Sequence, residues 1–315
     1  MAFPVNGKSA VITGAGSGIN LAWAKLLVEN GCNVLIADLA LRPEAQVFAD
    51  AHAPGYPRVV FQPTNVTQWN DLERMFDVAE REFGEIDIVC PGAGILEAVR
   101  PDSFWSPASS EDVKFDQYTV LDVNLVHPIR TTQMAISRFL RANENAKRRP
   151  KHIILISSIA GQSNWLVSSL YVASKHGISG FVRSLAKLDD QLGIRVTAVA
   201  PGIIKTPLWT DRAESAYVVN EKKDVWVTPQ EVASAMLALV QQDQVSVVGD
   251  QSDAIKQVPV HGGTILEVSK TVRAVAVVND PGPADRPGTT ASGFHLVEEQ
   301  IWGGLSQKGW GLAQS

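Results

Sequence analysis

Apolar runs rich in branched side chains recur along the chain at 10–13, 33–37, 58–61, 86–90, 152–156, 194–200 and 264–268. Most lack polar alternation, the pattern of strands buried on both faces of a parallel sheet. Amphipathic stretches at 21–29, 43–51, 68–83, 113–142 and 169–192 separate them and read as helices. A further helix is predicted to start at Thr228, whose hydroxyl can cap it, with Pro229 in the first turn and Glu231 three residues on. Strand alternating with helix predicts right-handed crossovers, hence an α/β fold with a doubly wound, seven-stranded parallel sheet of the Rossmann type.

There is no internal repeat. One Rossmann catalytic domain is expected over residues 1–280, with a substrate-loop region at 207–227. Beyond it Pro281, Gly282, Pro283, Pro287 and Gly288 crowd together and open a C-terminal extension, 281–315. That extension carries a short helix near Val297 and two isolated tryptophans, Trp302 and Trp310. It is too short for a domain, so it is expected to pack on the main body or on a partner subunit.

Composition narrows the class. Hydrophobic residues at 45% and charged residues at 19% describe a packed protein, and a net charge of -5 disfavours nucleic acid, whose phosphates would repel it. The basic run Lys147-Arg148-Arg149 reads as a solvated turn. Cys32 and Cys90 lie in apolar runs and read as reduced packing residues. With no signal-peptide core and no apolar run approaching a membrane span, a cytoplasmic protein is expected, and the sequon Asn65-Val66-Thr67 is expected to stay unmodified. The histidines are scattered, so neither a metal site nor a hydrolytic triad is expected.

The first strand runs into Thr13-Gly14-Ala15-Gly16-Ser17-Gly18-Ile19-Asn20 and then directly into a helix. Such a turn lets backbone N–H groups and a helix N-terminus approach a pyrophosphate. An acid about twenty residues on, Asp38, ends the second strand and is placed to accept from ribose hydroxyls. A 2′-phosphate beside it would cost about 4 kcal/mol at 4 Å and an effective dielectric of 20, which favours NAD over NADP unless Arg42 folds back.

Tyr171 and Lys175 stand four apart on a predicted helix, so ammonium and phenol share a face. A cation there is expected to favour phenolate, making Tyr171 the proton-transfer residue. The spacing alone is unspecific. Ser158, at the carboxyl end of the fifth strand, adds a hydroxyl that can hold a substrate oxygen against the phenol. Asn124, an asparagine inside a helix, suggests a task for its amide, such as holding a water that links Lys175 to solvent. The run Pro201-Gly202-Ile203-Ile204-Lys205-Thr206 follows the sixth strand and is placed to grip a nicotinamide carboxamide.

Taken together these residues resemble the short-chain dehydrogenase/reductase family, in its branch of roughly 250-residue members, over residues 6–206. Within it the likeness is to 15-hydroxyprostaglandin dehydrogenase-type and fungal members. The resemblance implies a proton relay of Asn124, Ser158, Tyr171 and Lys175, with Tyr171 and Lys175 also contacting the cofactor, Lys175 on the nicotinamide ribose. It implies cofactor contacts from Gly14, Ser17, Gly18 and Ile19, from Asp38, and from Asn65 and Val66. Further contacts are implied from Ala93 and Gly94, and from Pro201, Gly202, Ile204 and Thr206. Homodimers or homotetramers built on the helices of Asn124 and Tyr171 are implied as well. Three departures stand out. Asn20 replaces the third glycine of the cofactor turn and is expected to crowd the pyrophosphate. Pro91-Gly92-Ala93-Gly94 replaces Asn-Asn-Ala-Gly, losing side-chain bonds that brace the sheet. Asn65 replaces an aspartate, with an amide oxygen still able to accept from adenine.

A substrate wall is expected from Ile95 and Leu96, from Trp165, Leu166 and Val167, and from the segment carrying Leu208, Trp209, Tyr217, Val218, Val219 and Trp226. Such a lining suits a small apolar alcohol or ketone: a steroid, terpenoid, polyketide or fatty-acid derivative of the kind met in secondary metabolism. Two other functions fit the same residues: an isomerase or dehydratase that retains its NAD, and a non-catalytic NAD-binding sensor or scaffold. Net reduction of the cofactor separates the first from an oxidoreductase. Intact Tyr171, Lys175 and Ser158 weigh against the second.

Overall fold

The computed structural model describes residues 3–97, 104, 118–142, 149–211, 219–220, 222–249, 252–276 and 294–306. All seven apolar runs are strands: β1 (Ser9–Thr13), β2 (Asn33–Asp38), β3 (Val59–Pro63), β4 (Ile88–Cys90), β5 (Lys151–Ile156), β6 (Ile194–Pro201) and, after a hairpin, β9 (Ile265–Val268). They run parallel in the order β9-β6-β5-β4-β1-β2-β3. An eighth strand, β10 (Val272–Ala274), adds an antiparallel edge beside β9 that the sequence pattern does not announce. The chain begins at the centre, winds out to β3, and crosses back to β4. The carboxyl ends of β1 and β4 therefore flank a topological switch point, where open α/β sheets bind ligands.

Alternate residues of each strand feed two cores. Ala10, Ile12, Val34 and Ile36 face one layer with Trp23, Leu27, Phe48 and Met236, from α1 (Gly18–Glu29), α2 (Pro43–His52) and α9 (Pro229–Gln241). Val11, Leu35, Ile153 and Leu155 face the other with Phe76, Phe139 and Val182, from α3 (Trp69–Phe83), α5 (His127–Ala142) and α6 (Ser169–Ser184). Burial on both faces explains the absence of polar alternation. The helix starting at Thr228 has the expected cap, a reciprocal capping box with Glu231.

The elements differ from expectation in several places. The expected helix 113–142 starts at α4 (Thr119–Leu121), with 113–117 outside the described residues, and passes through a π-helical turn, Asp122–Val126, into α5. The stretch 169–192 breaks into α6 and α7 (Lys187–Leu192), where Gly262 brings its backbone so close to that of Ala186 that no Cβ would fit. A short α8 (Pro207–Thr210) follows β6. The hairpin β7 (Gln244–Gly249) and β8 (Ser252–Pro259) forms a separate two-stranded sheet. In the extension, α10 (Phe294–Ser306) packs on the main body through Leu305, which is buried in the second core, and Trp302 beside it. Cys32 and Cys90 are free and buried, and burial raises both thiol pKa values. No helix among the described residues is long and apolar enough to cross a membrane.

Candidate active site

The first turn is shaped by glycine. Gly14 and Gly18 have φ of +74° and +61°, a region that other residues avoid. A Cβ on Gly14 would stand 2.6 Å from the Ala93 Cα. Ser17 is the N-cap of α1 but makes no capping bond, and no acid sits in the first helical turn. The helix therefore opens onto the cleft with its N–H groups unclaimed by a local side chain, as an anion site requires. Gly16 donates its N–H to Asp38 Oδ2 at 2.8 Å, and Leu39 donates to Oδ1 at 2.7 Å. Burial raises the Asp38 pKa, while those two bonds oppose the rise. Arg42 does not fold back onto Asp38: its guanidinium pairs with Asp211.

The wall after β3 corrects one expectation. The Asn65 amide oxygen is already taken, accepting from the Thr67 N–H at 3.1 Å and the Thr67 hydroxyl at 2.9 Å. An Asx turn consumes the acceptor that was expected to meet adenine. Asn65 and Val66 nonetheless line the cleft.

The loop after β4 is held by three side chains. Thr13 Oγ1 accepts the Ala93 N–H at 3.1 Å and also bonds His127 Nε2 at 3.1 Å. Asn20 Nδ2 donates to the Gly92 carbonyl at 2.8 Å, and a Cβ on Gly92 would lie 2.5 Å from the Asn20 amide oxygen. Asn124 clamps Ile95 from both sides, accepting its N–H at 2.8 Å and donating to its carbonyl at 2.7 Å. Three expectations change here. Asn20 turns towards Gly92 rather than crowding the pyrophosphate, because Gly92 leaves it the room. The bracing expected to be lost with Pro91-Gly92 is supplied from Asn20 instead. The Asn124 amide, expected to hold a water, is committed to Ile95, and the π turn is what aims it there.

At the other end of the cleft stand Ser158, Tyr171 and Lys175. Ser158 Oγ accepts the Ala160 N–H at 3.1 Å, donates to the Pro201 carbonyl at 3.4 Å, and lowers the pKa of the Tyr171 phenol beside it. Lys175 Nζ donates to the Ile156 carbonyl at 2.8 Å and lies 5.5 Å from the centre of the Tyr171 ring. Ser157 bonds Ser179 and the Lys175 carbonyl and is structural. In the chain by itself the phenol is not made acidic as expected. Burial raises the Tyr171 pKa against the pull of Ser158, and burial pushes the Lys175 ammonium down to about 8. Desolvation disfavours either charge.

Pro201, Gly202, Ile204 and Thr206 close the cleft from β6, and Gly94 and Ile19 complete the lining of a space of 310 Å³. Ile95, Leu208 and Trp209 line it as expected. Trp165, Leu166 and Val167 are not part of the wall: they are 44%, 71% and 79% exposed on a 3-10 turn that points them outward. Tyr217 and Val218 fall outside the described residues. Two buried residues are not evident from the sequence. His127 gives a signal only in its spacing of three from Asn124, and Glu97 only as an acid in an apolar stretch. Among the described residues no cluster of His, Cys, Asp or Glu could hold a metal.

The family model for short chain dehydrogenase matches residues 8–216. A cyclohexanol dehydrogenase of Acinetobacter sp. is 31% identical over 247 residues, covering 78% of this chain and 92% of that protein. An uncharacterised oxidoreductase of Staphylococcus aureus is 31% identical over 242 residues, covering 76% and 94%. The crystal structure of a short-chain type dehydrogenase/reductase from Mycobacterium marinum superposes with a TM-score of 0.63 at 27% identity, covering 76% of this chain and 91% of that one.

Proposed function

This chain belongs to the short-chain dehydrogenase/reductase family, and on that premise we propose that it oxidises a secondary alcohol, or reduces the matching ketone, on an apolar skeleton with NAD. The carrying observation is the convergence of Ser158, Tyr171 and Lys175 at one end of a single cleft whose other end is a glycine cradle beside Asp38. The cyclohexanol dehydrogenase relative supports an alicyclic secondary alcohol as the substrate class.

The cradle suits a dinucleotide, since the close approach of Gly14 to Ala93 and the open start of α1 leave backbone donors where a pyrophosphate would lie. Residues 14–19 would hold the phosphates and Asp38 the adenosine ribose, while Val66 and the Asn65 backbone would wall the adenine without a bond from the Asn65 amide oxygen. Ala93, Gly94, Lys175 and 201–206 would hold the nicotinamide half. Asp38 disfavours a 2′-phosphate by about 4 kcal/mol. Arg42, committed to Asp211, does not offset it, so NAD is preferred over NADP. Bound oxidised NAD would supply the hydride acceptor and a positive ring charge that favours phenolate.

Ser158 holds the substrate hydroxyl against the phenol, and Tyr171 takes its proton as the C–H electron pair departs. Lys175, fixed by the Ile156 carbonyl, stabilises the phenolate. In the reverse direction Tyr171 returns the proton to the carbonyl oxygen. Leu208, Trp209 and Ile95 exclude water from the reacting carbon and favour an apolar substrate.

A panel of secondary alcohols including cyclohexanol, offered with NAD and with NADP, tests the reading through the absorbance of the reduced cofactor. Turnover with NAD is expected. Tyr171→Phe should lower kcat by about 10²–10⁴-fold while dinucleotide binding stays within about twofold. Undiminished turnover in that variant removes Tyr171 from the chemistry.

A further inference from the structure

Glu97 is a buried acid, 7% exposed, on the loop after β4, and it takes no part in the proton transfer itself. Its Oε2 accepts the N–H of Leu170 at 2.8 Å and of Tyr171 at 3.1 Å, and its Oε1 accepts the N–H of Phe104 at 3.2 Å. Leu170 and Tyr171 are the second and third residues of α6, whose N–H groups a capping side chain normally claims. Here the N-cap, Ser168, makes no such bond and the first turn holds no acid. A carboxylate from 73 residues earlier in the chain does that work instead.

We propose that Glu97 is a positioning residue for the proton-transfer helix: it fixes the Tyr171 backbone to the loop after β4 and sets the pH at which the phenol ionises. The inference rests on the reading of Tyr171 as the proton-transfer residue. Its geometric half follows from two clamps on one loop. Asn124 fixes Ile95 in the cleft wall, and two residues later Glu97 fixes the start of α6. The substrate wall and the phenol are thereby held in one register. Its electrostatic half follows from sign. A carboxylate at the positive end of α6 cancels the helix field that would otherwise favour phenolate, leaving Lys175 as the cation that works against it.

Among the described residues, the other charged or titratable groups near the phenol on the elements packed around it are few. Lys175 and His176 lie on α6 itself, Asp122 in the π turn, and His127 on α5, where burial keeps it neutral. Ser158 faces the phenol without a charge. None of these is a second anion bonded to the Tyr171 backbone.

Glu97→Gln keeps the shape and one acceptor oxygen but removes the charge, whereas Glu97→Ala removes both. Two measurements on the full-length protein with NAD read the outcome: the pH profile of kcat with cyclohexanol, and the near-ultraviolet titration of the phenol after subtracting Tyr171→Phe. Glu97→Gln should move the titration midpoint and the acid limb of the profile down by about one pH unit. Glu97→Ala should lower kcat by about tenfold or more while KM for NAD stays within about twofold, because the cradle lies at the far end of the cleft. Should the alanine variant fail to fold, the glutamine variant decides; should cyclohexanol not turn over, the titration decides. A wild-type midpoint in Glu97→Gln overturns the inference. Full activity in Tyr171→Phe would instead overturn the reading beneath it.

Discussion

Gly92 and Asn20 share one volume. The Asn20 amide occupies the space where a Gly92 side chain would stand and satisfies the Gly92 carbonyl from there. Asn20→Ala should leave that buried carbonyl unpaired, costing about 1–3 kcal/mol. Gly92→Ala should press a methyl against the amide and cost a similar amount, about 1–3 kcal/mol. Combined, the substitutions relieve one another, because the new methyl enters the space the amide has left. Urea unfolding should find the double variant about 1 kcal/mol or more stabler than the sum of the singles. Strict additivity would mean that the two positions do not act as a pair. His127 anchors the same loop with a different sensitivity. Its Nδ1–H donates to the Val123 carbonyl at 3.0 Å, so its Nε2 is free of a proton and accepts from the Thr13 hydroxyl. Burial pushes its pKa down to about 4. Between that value and the ordinary value near 6.5, the unfolded chain binds a proton that the folded chain refuses. Stability attributable to His127 is therefore present above this window and lost as pH falls through it, about 3 kcal/mol in all. His152, pushed down to about 3, contributes with the same sign. The comparison that isolates His127 is wild type against His127→Gln, unfolded in urea at about pH 7 and about pH 4.5. The variant should lose about 2–3 kcal/mol less on acidification. Equal acid sensitivity would show that His127 is not the group being titrated.

Elements whose burial is uniform are legible in the amino-acid pattern, and those that depend on a distant partner are not. β1 and β4 are buried along their whole length and appear in the sequence as unbroken apolar runs. β10 is three half-buried residues, which no pattern separates from a loop. The hairpin β7–β8 hides its signal in the short alternation of Val245 and Val247, both buried in the first core. The π turn at Asp122–Val126 shifts the helical register by one residue, and a period of 3.6 cannot reveal that. Its only trace is Asn124, a residue out of place in an ordinary helix. The same division holds in the cleft. Gly14, Gly18, Asp38, Ser158, Tyr171 and Lys175 carry fixed spacings along the chain, so their convergence can be read from order alone. Trp165 cannot be placed that way: an aromatic residue announces burial but not direction, and its turn faces outward. Asn65 stands on the wall its position predicts, yet Thr67, two residues on, claims its oxygen. Glu97 depends on a loop meeting a helix start 73 residues later, a contact that exists only once the sheet order is known.

At the scale of the whole molecule, the two cores are unequal in how the chain closes them. The first is sealed by α1, α2 and α9. The second is completed in part by α10, a helix from the extension. That helix is thinly attached. Among its described side chains Leu305 is the one buried large apolar group, Trp302 is partly buried, and Leu296, Val297 and Ile301 are each at least half exposed. Its ion pair, Lys187 with Glu298 at 2.5 Å, is solvated and screened, so it adds little. Between α10 and the helices beneath it lies a groove of 720 Å³ walled by Ile129, Ile136, Phe181 and Leu188, so the contact is far from close-packed. Among the described residues, burial of Leu305 and of much of Trp302 supplies the apolar attachment, Leu305 contributing about 1.5–3 kcal/mol. A segment held by so little opens on its own, well below the free energy at which the sheet unfolds. Hydrogen exchange should therefore show α10 amides exchanging much faster than those of β1 and β4. Leu305→Ala should bring them close to the unprotected rate while leaving β1 and β4 protected. If α10 amides instead exchange only with global unfolding, the extension is an integral part of the second core and its attachment is stronger than a single leucine can provide.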